Sequence, residues 1–348
     1  MAKDVVFGII GAGMIAGNHA RSIQSLPGCR LAGFCDTRGE SARKRAAEFN
    51  CRAYESLDEM LADPEIDAVT IATPSGMHME NAIAAARAKK HIFCEKPLDV
   101  TVEKADAILQ ACAENNCLLA PVFQLRFTKP VQLLRQAVAA GRFGKMIFAS
   151  AQMHWYRSQE YFSGSNWRGT WAMDGGGALM NQAVHMIDLM LYINGAPLEV
   201  YAMSDTMTHD IEVEDTLVAA VKWANGAYGT IEVSTSCAPG FSRHMEFAGS
   251  NGSVAFEEEN ITRWSFTEPQ AEDEEILRLY SGETDAKGAA DPTKINQTGH
   301  ACQIANLADA IRNGTPLLID GAEGRRAVEF ICGIYESART GKPVRFDR

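Results

Sequence analysis

The chain has 348 residues and a formal net charge of −11, and its composition is 46% hydrophobic and 22% charged, which is typical of a folded globular protein of about two domains. The acidic balance and the lack of Lys and Arg runs exclude nucleic acid and anionic membranes as principal partners, because both require clustered positive charge. No stretch is apolar for long enough to cross a bilayer and no secretory leader is evident, so we expect a cytoplasmic protein without a membrane partner.

Short apolar runs alternate with longer amphipathic stretches over the first 124 residues. Strands are predicted at 5–10, 30–35, 68–72, 91–94 and 118–123, and helices at 41–49, 79–88 and 102–114. This alternation indicates βαβ units on a parallel sheet. We therefore predict that residues 1–124 form a doubly wound α/β domain.

The pattern changes after Pro130, where one helix is followed by long alternating strands. Hairpin turns are predicted at 224–226 and 250–252, each of which contains Asn-Gly. The acidic stretch 268–290 predicts a solvated surface loop, and amphipathic helices are predicted near 297–313 and 322–340. Residues 125–348 are thus expected to form a second α/β domain with a mainly antiparallel sheet. Because few helices are available, one face of that sheet should stay open and serve in a homodimer or homotetramer.

The nine cysteines occur singly, without a Cys-x-x-Cys pair. An odd number of scattered cysteines is typical of reduced thiols and not of a disulfide framework or a zinc site. We expect no metal.

The first predicted strand leads into Gly11-Ala12-Gly13-Met14-Ile15-Ala16 and then into a helical pattern. This is the glycine fingerprint of dinucleotide-binding domains, with the permitted Ala at its sixth position. Gly11 allows the tight turn, and Gly13 lets the backbone approach a pyrophosphate. The helix start at Met14 and Ile15 offers unpaired N–H groups to the phosphate charge. The motif therefore predicts a dinucleotide site.

The second predicted strand ends at Asp36, about 20 residues beyond the glycine motif, where an acid binds the adenosine ribose. Asp36 can accept hydrogen bonds from the ribose hydroxyls and would repel a 2′-phosphate, so NAD is favoured over NADP. Arg38 leaves an alternative open, because its guanidinium can stack on adenine or neutralise a 2′-phosphate.

Two further strand ends carry polar residues and proline. They are Thr73-Pro74, followed by His78, and Glu95-Lys96-Pro97. Ligands of open α/β sheets bind at the carboxyl ends of the strands, and proline stiffens the backbone there. We predict that these residues also line the cofactor site, with His78 as the weakest member because it can equally cap a helix.

Taken together, these motifs resemble the glucose-fructose oxidoreductase, inositol dehydrogenase and rhizopine-catabolism family (Gfo/Idh/MocA). The resemblance also rests on the segment from Gly175-Gly176-Gly177 to His185 and on the terminal Thr340-Gly341-Lys342. It implies a Rossmann domain, a C-terminal open-faced sheet used in oligomerisation, and oxidation or reduction of a sugar, cyclitol or related alcohol.

The resemblance implies that Lys96 and His185 are catalytic. We expect Lys96 to polarise the substrate oxygen and His185 to accept the hydroxyl proton, since an imidazole titrates near neutrality. Many family members carry an acid where this chain has Asn181, so the third acid is absent from the motif. Asn181 can still orient a hydroxyl. Helical spacing predicts that Asn181, His185 and Asp188 share one face.

A loop rich in aromatic residues and arginine precedes that segment. Tyr156, Arg157, Trp167 and Arg168 are interpreted as a wall for a sugar ring and a carboxylate or phosphate. This loop and Asn181 resemble the branch of nucleotide-sugar and glycoside 3-dehydrogenases.

The leading hypothesis is an NAD-dependent dehydrogenase of a small, sugar-like molecule. Two alternatives stay open: an NAD-dependent glycosidase that is redox-neutral overall, and a nucleotide-sensing regulator on the same scaffold. The intact Lys96 and His185 weigh against the regulator. The sequence names neither the substrate nor its reacting carbon.

Overall fold

The computed structural model of the chain describes residues 3–282 and 298–346. The chain divides into two compact units, Met1–Gln124 with Asn296–Val328, and Leu125–Ile295 with Glu329–Arg348. The predicted second domain comprised all of residues 125–348, whereas in the structure Asn296–Val328 belongs to the first unit.

The first unit contains a parallel sheet with helices between its strands. The strands are β1 (Val5–Ile10), β2 (Cys29–Cys35), β3 (Arg52–Tyr54), β4 (Ala68–Ile71), β5 (His91–Cys94) and β6 (Leu119–Pro121). The helices are α1 (Met14–Ser25), α2 (Gly39–Phe49), α3 (Leu57–Ala62), α4 (His78–Arg87) and α5 (Val102–Asn115). The strand order β3-β2-β1-β4-β5-β6 is the dinucleotide-binding order. The predicted doubly wound parallel sheet is confirmed.

A helix from the C-terminal part of the chain, Thr298–Asn313, belongs to this first unit. It buries Ile304, Leu307 and Ala308 in the same apolar core as the strands of the parallel sheet. The side chain of Gln303 also donates a hydrogen bond to Pro121 O at 2.7 Å. Apolar burial and this bond explain why the helix groups with the first unit.

The second unit contains an eight-stranded sheet. Its strands are β7 (Met146–His154), β8 (Pro197–Asp205), β9 (Thr216–Trp223), β10 (Tyr228–Ser234), β11 (His244–Gly249), β12 (Gly252–Glu257), β13 (Asn260–Phe266) and β14 (Val344–Arg345). Their order is β13-β12-β11-β7-β10-β9-β8-β14. Among the described strands of this sheet, only β7 and β10 pair in parallel, so the prediction of a mainly antiparallel sheet is confirmed. Both predicted hairpin turns join neighbouring antiparallel strands.

The helices of the second unit include the segment that was singled out for catalysis. They are α6 (Lys129–Ala139), α7 (Gln159–Ser163), a π-helical turn (Ala178–Ala183), α8 (Val184–Asn194), α9 (Asp273–Tyr280) and the later part of Gly321–Thr340. No helix in the described ranges is long and apolar enough to cross a membrane.

The acidic stretch that begins at residue 268 is not a simple loop, as predicted, because α9 lies within it. One face of α9 is anchored: Ile276 is buried, and Asp273 accepts hydrogen bonds from Arg142 at 2.7 and 2.6 Å. The distant Arg142 and the buried Ile276 stabilise this helix. It was not predicted because the run of acidic residues is typical of a loop. The end of the predicted loop, 283–290, lies outside the described residues.

Side chains alternate between the two faces in the central strands of the second sheet, most clearly in β9. In β9 every second residue from Leu217 to Trp223 is buried, and the residues between them face outward. Several large apolar side chains stand on the outward face of neighbouring strands, namely Phe148, Tyr201, Met203, Val218 and Tyr228. Within the described ranges this face carries no covering helix, in agreement with the predicted open sheet.

Candidate functional site

The glycine turn between β1 and α1 has the shape that the fingerprint predicts. Gly11 has a φ of +98°, and a Cβ there would lie 2.6 Å from Ala72 O, so no other residue fits without strain. A Cβ at Gly13 would meet no described atom within 4 Å, so the turn faces open space at that point. Ala16, at the sixth position, is completely buried, which allows α1 to pack closely on the sheet.

Asp36 joins the end of β2 to this turn. Its carboxylate accepts hydrogen bonds from Ala12 N and from Arg38 N, both at 2.8 Å. A carboxylate has about four acceptor positions, so two remain for other donors. The side chain of Arg38 is 77% exposed, and its Nε lies 3.7 Å from the Asp36 carboxylate. The structure therefore brings the glycine turn and the predicted ribose-binding acid together.

The two proline-containing strand ends are connected by a buried histidine. Nδ1 of His78 lies 2.9 Å from Pro97 O, and its Nε2 lies 3.1 Å from Thr73 O. The imidazole thus braces the loop after β4 against the loop after β5. The Thr73 hydroxyl oxygen is buried and has no hydrogen-bond partner among the described residues. A contact between His78 and a cofactor stays a prediction.

Glu95 points into the first unit's interior. Its carboxylate lies 2.8 Å from His19 Nε2 and accepts a hydrogen bond from Lys96 N at 3.1 Å. Burial raises the pKa of Glu95, but the hydrogen bond and charge of His19 outweigh burial and hold the pKa well below its usual range. The charge of Lys96 acts in the same direction. Glu95 is thus an ionised group that fixes the backbone at Lys96.

His300 completes a buried cluster with His19 and Glu95, and the three groups place possible metal ligands within 4.8 Å of one another. Burial lowers the pKa of His300 to about 4, so its imidazole is neutral at neutral pH. A metal-bound histidine normally donates its second ring N–H to an acceptor. Nδ1 of both His19 and His300 lacks such an acceptor in the described part of the chain. We interpret the cluster as a histidine–carboxylate hydrogen bond beside a neutral histidine.

Three features of the first unit fit a bound NAD. The turn at Gly13 has room for a pyrophosphate, Asp36 retains acceptor positions for a ribose, and the Thr73 hydroxyl is buried without a partner. Met14 is half exposed at the start of α1, beside the N–H groups that phosphate prefers.

In the second unit, a run of glycines leads to the predicted catalytic segment. Asn181 lies in the π-helical turn, and His185 lies in the first turn of α8. The spacing of an ordinary α-helix, from which a shared face was predicted, therefore does not apply between them. His185 is partly exposed, as a proton acceptor must be.

A buried acid upstream in the chain, Asp174, holds the side chain of Asn181. The amide of Asn181 donates a short hydrogen bond to Asp174, which is 1% exposed, and the Asn181 oxygen accepts from Gln182 at 2.7 Å. Asp174 also accepts a hydrogen bond from Gly169 N at 2.9 Å. The orientation of Asn181 is thus fixed by protein groups on both sides.

Asp188, which helical spacing placed beside His185, serves a different purpose. It forms a two-pronged ion pair with Arg126, with N–O distances of 2.9 and 2.6 Å. Both side chains are almost completely buried. Asp188 therefore anchors α8 and is not presented to a substrate.

The four residues predicted to form the substrate wall divide into two pairs. Arg157 is buried and donates to Gln182 Oε1 at 3.1 Å, so it braces the segment that follows Asn181. Tyr156 is 37% exposed. These two residues lie where β7 has just ended.

Arg168 has a different environment. Its guanidinium lies 4.3 Å from the ring centroid of Tyr161 and 5.4 Å from that of Trp167. One N–H group contacts Tyr161 O at 3.3 Å, and the buried Nε has no hydrogen-bond partner. No carboxylate pairs with Arg168 in the described ranges. It is thus a half-buried cation, held by aromatic rings, with capacity for an anion.

Sequence reasoning missed residues that act through tertiary contacts. Arg45 on α2 donates to Ala12 O and Gly13 O at 3.3 and 3.0 Å, which steadies the glycine turn. The mixture of arginine and acidic residues along α2 is typical of a solvated face, so no signal in the sequence marked Arg45.

The second missed residue is Asp174, which orients Asn181. The Asp174-Gly175-Gly176 sequence signals a sharp turn, which could have suggested that this acid folds back on the segment.

Comparison with known proteins agrees with both units. Residues 5–123 match the oxidoreductase family with an NAD-binding Rossmann fold, and residues 131–255 match the GFO/IDH/MocA C-terminal domain. The myo-inositol 2-dehydrogenase of Thermotoga maritima is 27% identical over 329 residues, which cover 92% of each chain. The levoglucosan dehydrogenase of Pseudarthrobacter phenanthrenivorans is 30% identical over 70% of this chain and 68% of that protein.

Among solved structures, the WlbA dehydrogenase from Bordetella pertussis, in complex with NADH and UDP-GlcNAcA, is similar over nearly the entire length. The TM-score is 0.90 at 33% sequence identity, and the match covers 99% of this chain and 98% of that chain.

Proposed function

This chain belongs to the Gfo/Idh/MocA family of NAD-binding oxidoreductases, and we propose that its substrate is an anionic, nucleotide-linked sugar that is oxidised or reduced at a hydroxyl-bearing carbon. Inositol and levoglucosan, the substrates named for two relatives, carry no charge. UDP-GlcNAcA, bound in the WlbA structure, carries a carboxylate and a pyrophosphate.

The single observation that supports an anionic substrate is the environment of Arg168. A guanidinium without a carboxylate partner, stacked between Tyr161 and Trp167, is an unusual arrangement for a purely structural arginine, because partly buried charges are normally paired. An anionic group of the substrate would complete its hydrogen bonds in the bidentate geometry that guanidinium favours. The aromatic rings beside it supply a surface for a sugar ring.

We propose that His185 accepts the proton of the reacting hydroxyl and that Lys96 polarises its oxygen. Bound NAD supplies the hydride acceptor. Lys96 is suited to this task because Glu95 fixes its backbone and its ammonium can stabilise an oxygen that gains negative charge. Asn181, whose amide is oriented by Asp174, holds the start of the catalytic segment in position.

The test is turnover by the purified chain with NAD and UDP-GlcNAcA, followed by NADH absorbance. We expect Arg168→Gln to raise KM for UDP-GlcNAcA by about 10- to 100-fold, the cost of a lost charge-assisted hydrogen bond. NAD affinity should not change, because Arg168 lies outside the Rossmann unit. Arg263→Gln is the matched control, since Arg263 pairs with Glu246 on the surface of the sheet.

Equal rates with UDP-GlcNAcA, levoglucosan and myo-inositol, together with no effect of Arg168→Gln, would overturn the proposed substrate class. Turnover of a glycoside without net NADH would instead support the redox-neutral alternative.

The open face of the second sheet supports a homodimer or homotetramer. Tyr228 stands opposite Phe148 on the neighbouring strand, and Met203 stands opposite Val218. All four side chains are at least 41% exposed. Apolar groups of this size on adjacent strands favour burial against a second copy of the face. Tyr228→Lys should dissociate the assembly in light scattering, whereas a wild-type monomer at micromolar concentration would contradict the proposal.

All nine cysteines are free thiols. Reduced cysteines support the expected cytoplasmic location, because disulfides are rare in that compartment.

A further inference from the structure

The backbone N–H groups at the start of the π-helical turn are bound by a distant glutamate. The carboxylate of Glu214 accepts hydrogen bonds from Gly177 N at 2.9 Å and from Leu179 N at 2.8 Å. The backbone oxygen of Glu214 accepts another from Ala178 N at 3.2 Å. The first N–H groups of a helix have no partner within the helix. Glu214 therefore provides the hydrogen-bond acceptors that the local sequence lacks.

A tyrosine binds the next N–H group. The Tyr335 hydroxyl accepts a hydrogen bond from Met180 N at 3.1 Å and donates one to Glu214 Oε1 at 2.9 Å. Tyr335 comes from the last helix of the chain, and its ring packs edge-on against Trp171 at 5.3 Å. Four consecutive N–H groups are therefore held by two residues that are remote in sequence, three of them through side chains and one through the backbone oxygen of Glu214.

The glycines of this segment are required by the same contact. A Cβ at Gly176 would lie 2.0 Å from the Tyr335 hydroxyl oxygen, and a Cβ at Gly177 would lie 1.9 Å from Glu214 O. The backbone thus passes so close to both residues that a side chain at either position would push them away.

We propose that Glu214 and Tyr335 are positioning residues that hold the segment carrying Asn181 and His185 in its reactive geometry. This inference rests on the proposed function, in which His185 accepts the substrate proton. In this proposal neither residue donates a proton to the substrate or accepts one from it. They act through the backbone, since a shift of about 1 Å in a catalytic group can cost about 100-fold in rate.

Two variants separate positioning from simple loss of fold. Tyr335→Phe removes the hydroxyl and keeps the ring against Trp171, while Glu214→Gln keeps the shape and replaces one acceptor oxygen with a donor. Glu275→Gln and Tyr280→Phe, both on the surface helix α9, are the matched controls. All five tryptophans lie between residues 155 and 264, so their emission reports the fold of the second unit alone.

The first measurement is hydrogen–deuterium exchange of the peptide that spans 175–186, in the full chain without substrate. We expect exchange to become about 10-fold faster in Tyr335→Phe and Glu214→Gln, because each variant loses a side-chain hydrogen bond to one of these N–H groups. The controls should exchange like wild type. Unchanged exchange in Tyr335→Phe, with wild-type emission, would overturn the inference.

The second measurement is the split between kcat and KM with NAD and UDP-GlcNAcA. We expect kcat to fall about 10- to 100-fold while NAD affinity and tryptophan emission stay as in wild type. Faster exchange with unchanged kcat would show that the contact does not position the catalytic segment. If wild type itself fails to turn over UDP-GlcNAcA, the substrate proposal fails, and the exchange comparison still decides whether the two residues hold the segment.

Discussion

The carboxylate of Asp36 accepts a hydrogen bond from Ala12 N at 2.8 Å, so the acid that is predicted to bind the ribose is tied directly to the glycine turn. If a ribose binds there as predicted, the carboxylate opposes a second anion, such as a 2′-phosphate, at the same place. The side chain of Arg38, in contrast, is largely exposed.

We predict tighter binding of NAD than of NADP, with Asp36→Ala narrowing the preference. Removal of the carboxylate eliminates both the ribose hydrogen bonds and the repulsion of a 2′-phosphate. Calorimetric titration of both cofactors into wild type and variant measures the effect, with Arg38→Ala as the companion variant. A wild-type preference for NADP that disappears in Arg38→Ala would mean that the arginine sets the specificity.

The buried pair of Arg126 and Asp188 gives a stability prediction. Asp188→Ala should lower the free energy of unfolding by about 3–5 kcal/mol, because it leaves a buried guanidinium without its partner. Urea unfolding followed by tryptophan emission measures this value.

Glu199→Ala provides the comparison, since its partner Arg345 is 82% exposed and surface pairs contribute only about 0–1 kcal/mol. Similar small losses in both variants would contradict the role assigned to the buried pair.

Much of the fold is readable from the sequence, because the long strands and helices have clear apolar periods. Two short elements, β3 and α3, were missed because three residues of strand and six of helix are too few to show a period. Helix α9 was missed because acidic residues dominate it, and its anchor Arg142 is distant in sequence.

The candidate site was predicted only in part for a similar reason. Gly11, Gly13 and Asp36 follow a local motif with a fixed spacing, so their arrangement could be anticipated. The contact of Asp174 with Asn181 depends on a glycine turn and a π-helical turn, neither of which has a periodic signal. The partners of Glu214 are in contact with it only after the second unit has folded.

The titration of Glu214 gives a prediction of pH dependence. Burial raises its pKa from 4.5 to about 7, so the folded chain keeps a proton that the unfolded chain releases. The contribution of Glu214 to the free energy of unfolding is therefore complete below pH 4.5 and is lost as the pH rises to about 7, a change of about 3 kcal/mol.

The measurement is the difference in unfolding free energy between wild type and Glu214→Gln across this pH range, with tryptophan emission as the probe. The difference should decline as the pH rises, because the variant has no titrating group at this position. A difference that is constant or that grows with pH would contradict the raised pKa.

The central claim is that the chain oxidises or reduces a sugar hydroxyl with NAD through Lys96 and His185. The most direct test compares NADH formed and sugar product formed, in the same reaction, for wild type, Lys96→Ala and His185→Ala, with NAD binding measured separately. We predict equal amounts of NADH and product for wild type, and turnover lower by at least about 10²–10⁴-fold in each variant, with NAD binding retained. Near-normal turnover by His185→Ala, or product formed without NADH, would contradict the account.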